Sequence, residues 1–451
     1  MTKKLSFLLL VFATVSLMTH GQDTSRYELR LSVPVLDFPQ NSSLPYHAPS
    51  MNQALELSND FYEFGFWGID KLGDRLFISE IKPYSKWRKF SNNLFKYGLG
   101  LGFSKYGSEL PIPLGVWAHE EFHRSVLGIN DISAKNGNWL LNRWDGTVYG
   151  VSDAQLGHLK STNINQLLYS YVAGVQYEIA LNEKITLNDF YKKRTLAKNA
   201  LLLYNAFYVF DYFRFSTSAA SDSVKVLAPP NESKNPLERD FAGADLTAWV
   251  FDMFNPSAPF SSRESFPNGE GVNRRIGFSD LSSEAQSYLV KQKKMSLLNF
   301  LNPAIFFINR IKLNTDFSFN FFTQYSPTHF GNDVAVFLPV QYKKYDLLIN
   351  VHNYNNKTSN GLGIGLGLYN FRLKEKIESN FTLNMWNQPE SFFDNKMIFG
   401  GLVNVNTKYY FRKNFAGFVA VEAKTQGWAM DNPHLKNNIS VQLGFNYNLV
   451  R

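Results

Sequence analysis

The chain has 451 residues, 44% hydrophobic and 19% charged, enough for a substantial core and too apolar over most of its length for disorder. It contains no cysteine, which excludes disulfides, thiolate metal sites, cysteine nucleophiles and a lipid-anchored Cys. The formal charge of +8 is spread without a dense basic block, so there is no nucleic-acid footprint; the excess is instead aromatic, at 16%, as in membrane-interface belts.

Residues 1–21 read as an export signal: Lys3 and Lys4, the apolar run Leu5–Leu17, then small residues before Gln22. The run is too short for a spanning helix. Residues 22–90 are mixed, with a short strand over Arg26–Leu36 and a Pro/Asn/Ser-rich loop to Ser50. Residues 91–311 are dominated by helical patterns, with four apolar stretches at Ile112–Ile129, Ile164–Leu181, Thr195–Phe215 and Leu297–Ile311. Ser216–Arg239 and Asn255–Arg275 read as long loops.

Inside the first apolar stretch stands His119-Glu-Glu-Phe-His123, the pattern H-E-x-x-H. Positions i and i+4 share a helix face, so His119 and His123 can ligate one metal ion. Glu120, beside that face, can accept a proton from water without occupying the metal. With cysteine absent, zinc suits imidazole and carboxylate donors and leaves a position open for water. Residues 116–128 resemble the active-site helix of the zincin metallopeptidases. That resemblance implies zinc on His119 and His123 and Glu120 as general base. Glu121 and Arg124 depart from it, being charged where such helices carry neutral residues.

A third ligand is needed, and Glu178 is the first choice. It is the one charged residue between Lys160 and Glu183, where an unpaired carboxylate is costly and a cation relieves it. Gly174, one turn earlier, lets another helix approach closely. The segment is similar to the glutamate helix of gluzincins, with Asn182 in place of the supporting Asp. Rival ligands are His158, in a polar loop, Asp240 and Asp245; Asp245 reads more simply as the N-cap of the helix from Leu246. Tyr177 and His158 are the candidates for stabilising an oxyanion, and neither is assigned.

From residue 312 to 451 the period changes to two. Leu362, Ile364, Leu366 and Leu368 alternate with glycines, and Ile439–Leu449 alternates apolar with polar or Gly. Similar alternation marks 317–321, 334–342, 345–354, 381–385, 403–411 and 415–423, giving eight predicted strands. The last resembles the closing strand of bacterial outer-membrane barrels.

The sequence therefore predicts an α+β chain in which a helical zincin-like domain precedes a C-terminal antiparallel β-barrel of about eight strands. The expected function is a zinc metallopeptidase at the outer membrane, with its helical domain periplasmic or in the barrel mouth. Its expected partners are a peptide or protein substrate and outer-membrane lipid, and no nucleic acid. Two alternatives stay open: a non-enzymatic barrel for ligand binding or transport, and a zinc hydrolase acting on a lipid ester or amide.

Overall fold

A computed structural model describes residues 29–44, 48–78, 85–137, 147–192 and 196–449. The export-signal reading of residues 1–21 lies outside the described residues. The first elements are β1 (Leu29–Phe38), α1 (Gln40–Ser43), α2 (Met51–Phe77), α3 (Lys86–Gly102) and α4 (Gly115–Gly128). A two-stranded ribbon of β2 (Lys135–Asn136) and β3 (Val148–Tyr149) precedes α5 (Asp153–Thr162), α6 (Ile164–Tyr191) and α7 (Leu196–Ser216). Then come α8 (Ala219–Leu227), α9 (Asp245–Phe254) and α10 (Ser283–Ser296). The remaining strands are β4 (Ile311–Lys312), β5 (Phe317–Phe319), β6 (Phe322–Thr328), β7 (Gly331–Tyr342) and β8 (Tyr345–Asn355), followed by β9 (Asn360–Lys374), β10 (Ile377–Pro389), β11 (Met397–Arg412), β12 (Phe415–Lys424) and β13 (Asn438–Leu449).

Local chemistry explains the boundaries. Pro111 and Pro113 delay α4 until Gly115, so the helix is shorter than the apolar stretch around it. Ser50 and Gln53 form a reciprocal capping box that starts the long α2, which lies inside the mixed segment 22–90. Leu297–Ile311 is two short 3₁₀ turns, Leu297–Phe300 and Pro303–Phe306, because Pro303 interrupts any continuous helix.

The fold is α+β, with one antiparallel sheet of eleven strands rather than about eight. The order is β1-β13-β12-β11-β10-β9-β8-β7-β5-β4, with β6 also on β7. The added strands are the short β4, β6, and β1 from the start of the chain. Strand β1 lies antiparallel to β13, Leu29 opposite Leu449 and Val33 opposite Phe445. A bulge at Pro34–Leu36 absorbs the proline, which has no N–H for the ladder.

Among the described residues the ladder does not close on itself, and helices occupy the interval between its ends. The Ser32 amide donates to both Asp60 carboxylate oxygens (2.9 and 2.8 Å), fixing α2 to β1. Lys96 pairs with Asp70 and Asp74 (2.7 Å each), fixing α3 to α2. Gly100 of α3 faces the Ala197 backbone of α7. The Asn199 side chain of α7 donates to the Ala304 carbonyl, and the Thr323 amide of β6 donates to that of Leu301 (3.0 Å).

Strand burial is inverted relative to a water-soluble sheet. Leu362, Ile364 and Leu366 are 64%, 52% and 53% exposed, whereas Ser440 and Gln442 are 2% and 9%. The apolar face points outward and the polar face inward. No helix among the described residues is long and apolar enough to cross a membrane.

The helical core is built on α6, in which every residue from Gln166 to Leu181 is buried. A helix that is apolar all round belongs at the centre; α4, α7, α9 and β6 pack around it. One buried network ties α9 to α5 and α6. The Asp252 carboxylate accepts from Lys160 Nζ (2.9 Å), Arg263 Nη2 (2.9 Å) and Tyr171 Oη (3.0 Å). Removing it leaves two cations buried without a counter-charge, so Asp252→Ala is expected to cost about 3–5 kcal/mol. A urea or thermal unfolding series checks this; an unchanged midpoint would contradict it.

Candidate metal centre

Helix α4 places His119 and His123 one turn apart on the face toward α6, their ring centroids 5.0 Å from each other. The contact is close because position 174 of α6 is glycine. A Cβ there would sit 2.3 Å from Nε2 of both histidines. Gly174 thus keeps open the space that the two Nε2 atoms face.

The opposite edge of each ring is occupied. His119 Nδ1 lies 3.1 Å from Glu178 Oε1, and His123 Nδ1 lies 2.5 Å from the Ser170 carbonyl. A carbonyl oxygen only accepts, so His123 Nδ1 carries the proton and the neutral ring presents its lone pair at Nε2. The Glu178 carboxylate selects the same tautomer in His119. Both Nε2 atoms face Asp245 Oδ2, at 3.6 Å from His119 and 3.4 Å from His123. These three residues form one buried group whose ligand atoms all lie within 4.8 Å of one another, a group that could hold a metal ion.

Asp245 is the first residue of α9, where Ala244 takes the cap position and no side chain caps the helix. Its reading as an N-cap is therefore corrected: Oδ2 accepts from Tyr212 Oη (2.7 Å) and faces the imidazoles instead. Glu178 stands behind His119, on its Nδ1 side. Glu120 is buried but retains 8% exposure.

The electrostatics favour a cation. Three carboxylates, Glu120, Glu178 and Asp245, are buried around two buried imidazoles. Burial pushes the Glu120 carboxyl up to about 8, although His119 and His123 oppose that. Burial also opposes charge on His119, but Glu178 and then Asp245 outweigh it and hold its pKa well above the usual value. A divalent ion on the Nε2 side would supply the positive charge that the imidazoles otherwise take up as protons. Donor types, tautomers and the space over Gly174 all fit such an ion.

The other sequence candidates fall elsewhere. His158 is exposed on α5 rather than in a loop; the Ser152–Gln155 capping box starts that helix. Asp240 accepts from the Ala242 and Gly243 amides (2.9 and 2.6 Å), shaping the turn before α9. The Tyr177 hydroxyl is 2.5 Å from that of Ser58. Asn182 donates to the Leu202 carbonyl and accepts from Asn205 (3.0 Å each), joining α6 to α7. Glu121, inside the motif, and Arg124, just after it, are engaged away from the centre. Arg124 Nη1 donates to both oxygens of Glu121 (2.7 Å each), Nε to the Ala134 carbonyl (3.0 Å), and Asn136 to Glu121 (2.8 Å). They fasten β2 to the far side of α4.

Sequence reasoning missed the tyrosines of α7. Tyr208 and Tyr212 are half-buried, their rings 6.0 and 6.4 Å from His119. The signal was there: Tyr204, Tyr208 and Tyr212 recur every fourth residue, one stripe of a helix.

Gly174→Ala tests the cradle. Alanine favours a helix by about 1 kcal/mol over glycine, but overpacking costs about 1–3 kcal/mol. Affinity for a divalent metal ion is expected to fall at least about tenfold as the imidazoles are displaced, with little change in melting temperature; losses of that size follow changes to residues that position metal ligands. Chelator competition reads the affinity, and unaltered binding would exclude this geometry. No protein-family model and no curated protein matches the chain.

Proposed function

We propose that the chain is a zinc-dependent hydrolase, of metallopeptidase type, held at an outer membrane by its sheet. The observation that carries the reading is the convergence of two tautomer-fixed Nε2 atoms and one carboxylate oxygen over a glycine. In this proposal His119, His123 and Asp245 hold the metal, and Glu178 orients His119 instead of ligating. A bound zinc would supply a Lewis acid and lower the pKa of water toward neutrality.

The residues of the chain do the rest. Glu120, beside the two histidines, takes the proton from the attacking water and returns it to the leaving amine. The Tyr208 hydroxyl stays protonated, because burial pushes its pKa well above the usual value, and is the donor placed to stabilise an oxyanion. Tyr212 holds Asp245 in position through its 2.7 Å hydrogen bond. A lipid ester or amide is the second substrate reading, favoured by exposed Phe207 beside Tyr208 on α7.

The outward apolar face of the sheet supports membrane placement. A soluble monomer rarely leaves such a continuous band in water, whereas an outer-membrane barrel has it as its lipid surface. In the proposed arrangement α2, α3 and α7 complete the wall between β1 and β6.

Metal analysis tests the central idea. Protein purified from zinc-replete medium is expected to carry about one zinc per chain, and His119→Ala none. Wild-type protein without metal would end the proposal. Heat-dependent gel migration and detergent-dependent extraction test the membrane placement separately.

A further inference from the structure

A cavity of about 340 Å³ lies between the inward face of the sheet and helices α2 and α6, and no metal-centre residue lines it. Five carboxylates line it: Glu56, Glu183, Asp333, Glu422 and Asp431. Against them stands one lysine, Lys184, already paired with Glu56 at 2.5 Å. His352 is engaged by Asp333 Oδ2 at 2.8 Å. Five acids gathered in one cavity with so little positive charge repel one another and favour entry of something cationic. Burial pushes the Glu183 carboxyl up to about 7, the direction that cost dictates.

A second observation points to a ligand. Asp333 and Asn350 are 2% and 7% exposed, and Oδ1 of each has no hydrogen-bond partner among the described residues. Both residues line the cavity, as does Glu56, whose Oε2 is likewise without a partner. The wall therefore offers acceptors and calls for a donor.

The cation is not a compact metal ion. Among the described residues only His119, His123 and Asp245 bring three ligand atoms within 4.8 Å, so the cavity carboxylates are too dispersed to chelate. Between them lie aromatic rings: Tyr354, Tyr369, Trp386 and Trp428. The two indole N–H groups are already used, Trp386 on the Gln426 carbonyl (3.2 Å) and Trp428 on Gln176 (3.4 Å). What the indoles still offer is their π-surface. Spaced carboxylates with aromatic surface between them suit an extended organic ammonium ion, which each ring attracts through its quadrupole.

We propose that this cavity binds a small organic cation of the aliphatic polyamine class. Its ammonium groups meet Asp333, Glu183, Asp431 and the Asn350 carbonyl, and its methylene stem lies along the rings. The site is independent of the metal centre, although both are built on α6.

Spermidine is the probe. Titrated into the full chain in detergent, it is expected to quench indole fluorescence saturably with half-saturation below about 1 mM, a free energy of roughly −4 kcal/mol. Glu183→Gln with Asp431→Asn should weaken binding at least tenfold, and Trp386→Leu likewise. Asp245→Ala should leave it unchanged, which separates this site from the zinc reading. Gel migration checks that each variant folds. Should the double variant fail that check, Asn350→Leu, which fills the cavity from the sheet side, carries the same tenfold expectation. Absence of saturation up to about 10 mM, a weaker binding than any specific site of this kind requires, would overturn the proposal. So would equal competition by magnesium chloride at matched charge, which would show counter-ion screening.

Discussion

Asp245→Ala is expected to lose its zinc, whereas Glu178→Gln is expected to keep it with weakened affinity. A four-ligand zinc site is worth roughly 10–16 kcal/mol in binding. One ligand then carries on the order of 3 kcal/mol, or about a hundredfold in affinity. Asp245 faces both Nε2 atoms, so its removal should cost at least that much. Glu178 meets the other edge of His119, and glutamine in its place can still accept the Nδ1 proton; losses behind a ligand of this kind run to about 10–100-fold. Asp245 is also the residue whose charge is best supported: burial works against it, yet His123 and His119 hold its pKa well below the usual carboxylate range. Chelator competition on the two purified variants compares them directly. The reverse order of affinities would return the third ligand to Glu178 and reduce Asp245 to a partner of Tyr212.

Glu120→Gln is expected to retain zinc and lose hydrolysis by about 10²–10⁴-fold, the range for removing a general base. Glutamine has the same shape but cannot take a proton from water. Burial already disfavours the charged form of Glu120, and the neutral amide suits the same surroundings, so the melting temperature should hold. Zinc content, melting temperature and cleavage of a quenched peptide library together make the test. A variant that cleaves at the wild-type rate would remove Glu120 from the chemistry. If loaded wild-type chain cleaves fatty-acyl esters and not peptides, the lipid reading takes precedence.

Local patterns were readable in the sequence; their partners were not. The spacing of His119 and His123 is a property of one helix turn. Asp245 approaches them from another helix, and its position just before an apolar run made a cap the simplest reading. Glu178 stands out in the sequence because its surroundings do not tolerate a lone carboxylate; which edge of which imidazole meets it is set by the packing of α4 on α6. His158 was misplaced because Gly157 suggested a loop, although Ser152 and Gln155 stood at capping-box spacing. Strands β7 to β13 declared themselves through alternation because one face is apolar and the other polar. Strand β6 did not, since it is buried almost throughout and its two faces need not differ. The helix α2 lies within the segment read as mixed, although Ser50 and Gln53 stand at capping-box spacing at its start.

The pairing of β1 with β13 has a consequence in time. Residues 29–38 find their partner only at residues 438–449, so the edge of β1 waits for every element between them to be made. Loop-closure entropy alone is forgiving, about 0.6 kcal/mol per doubling of length, but contacts this remote in sequence make folding slow. Until they form, β1 offers an unpaired ladder and the outward apolar residues offer a surface prone to sticking. A molecule organised this way must keep β1 unpaired until β13 arrives, and the β1–β13 seam joins the two most sequence-distant strands of the sheet.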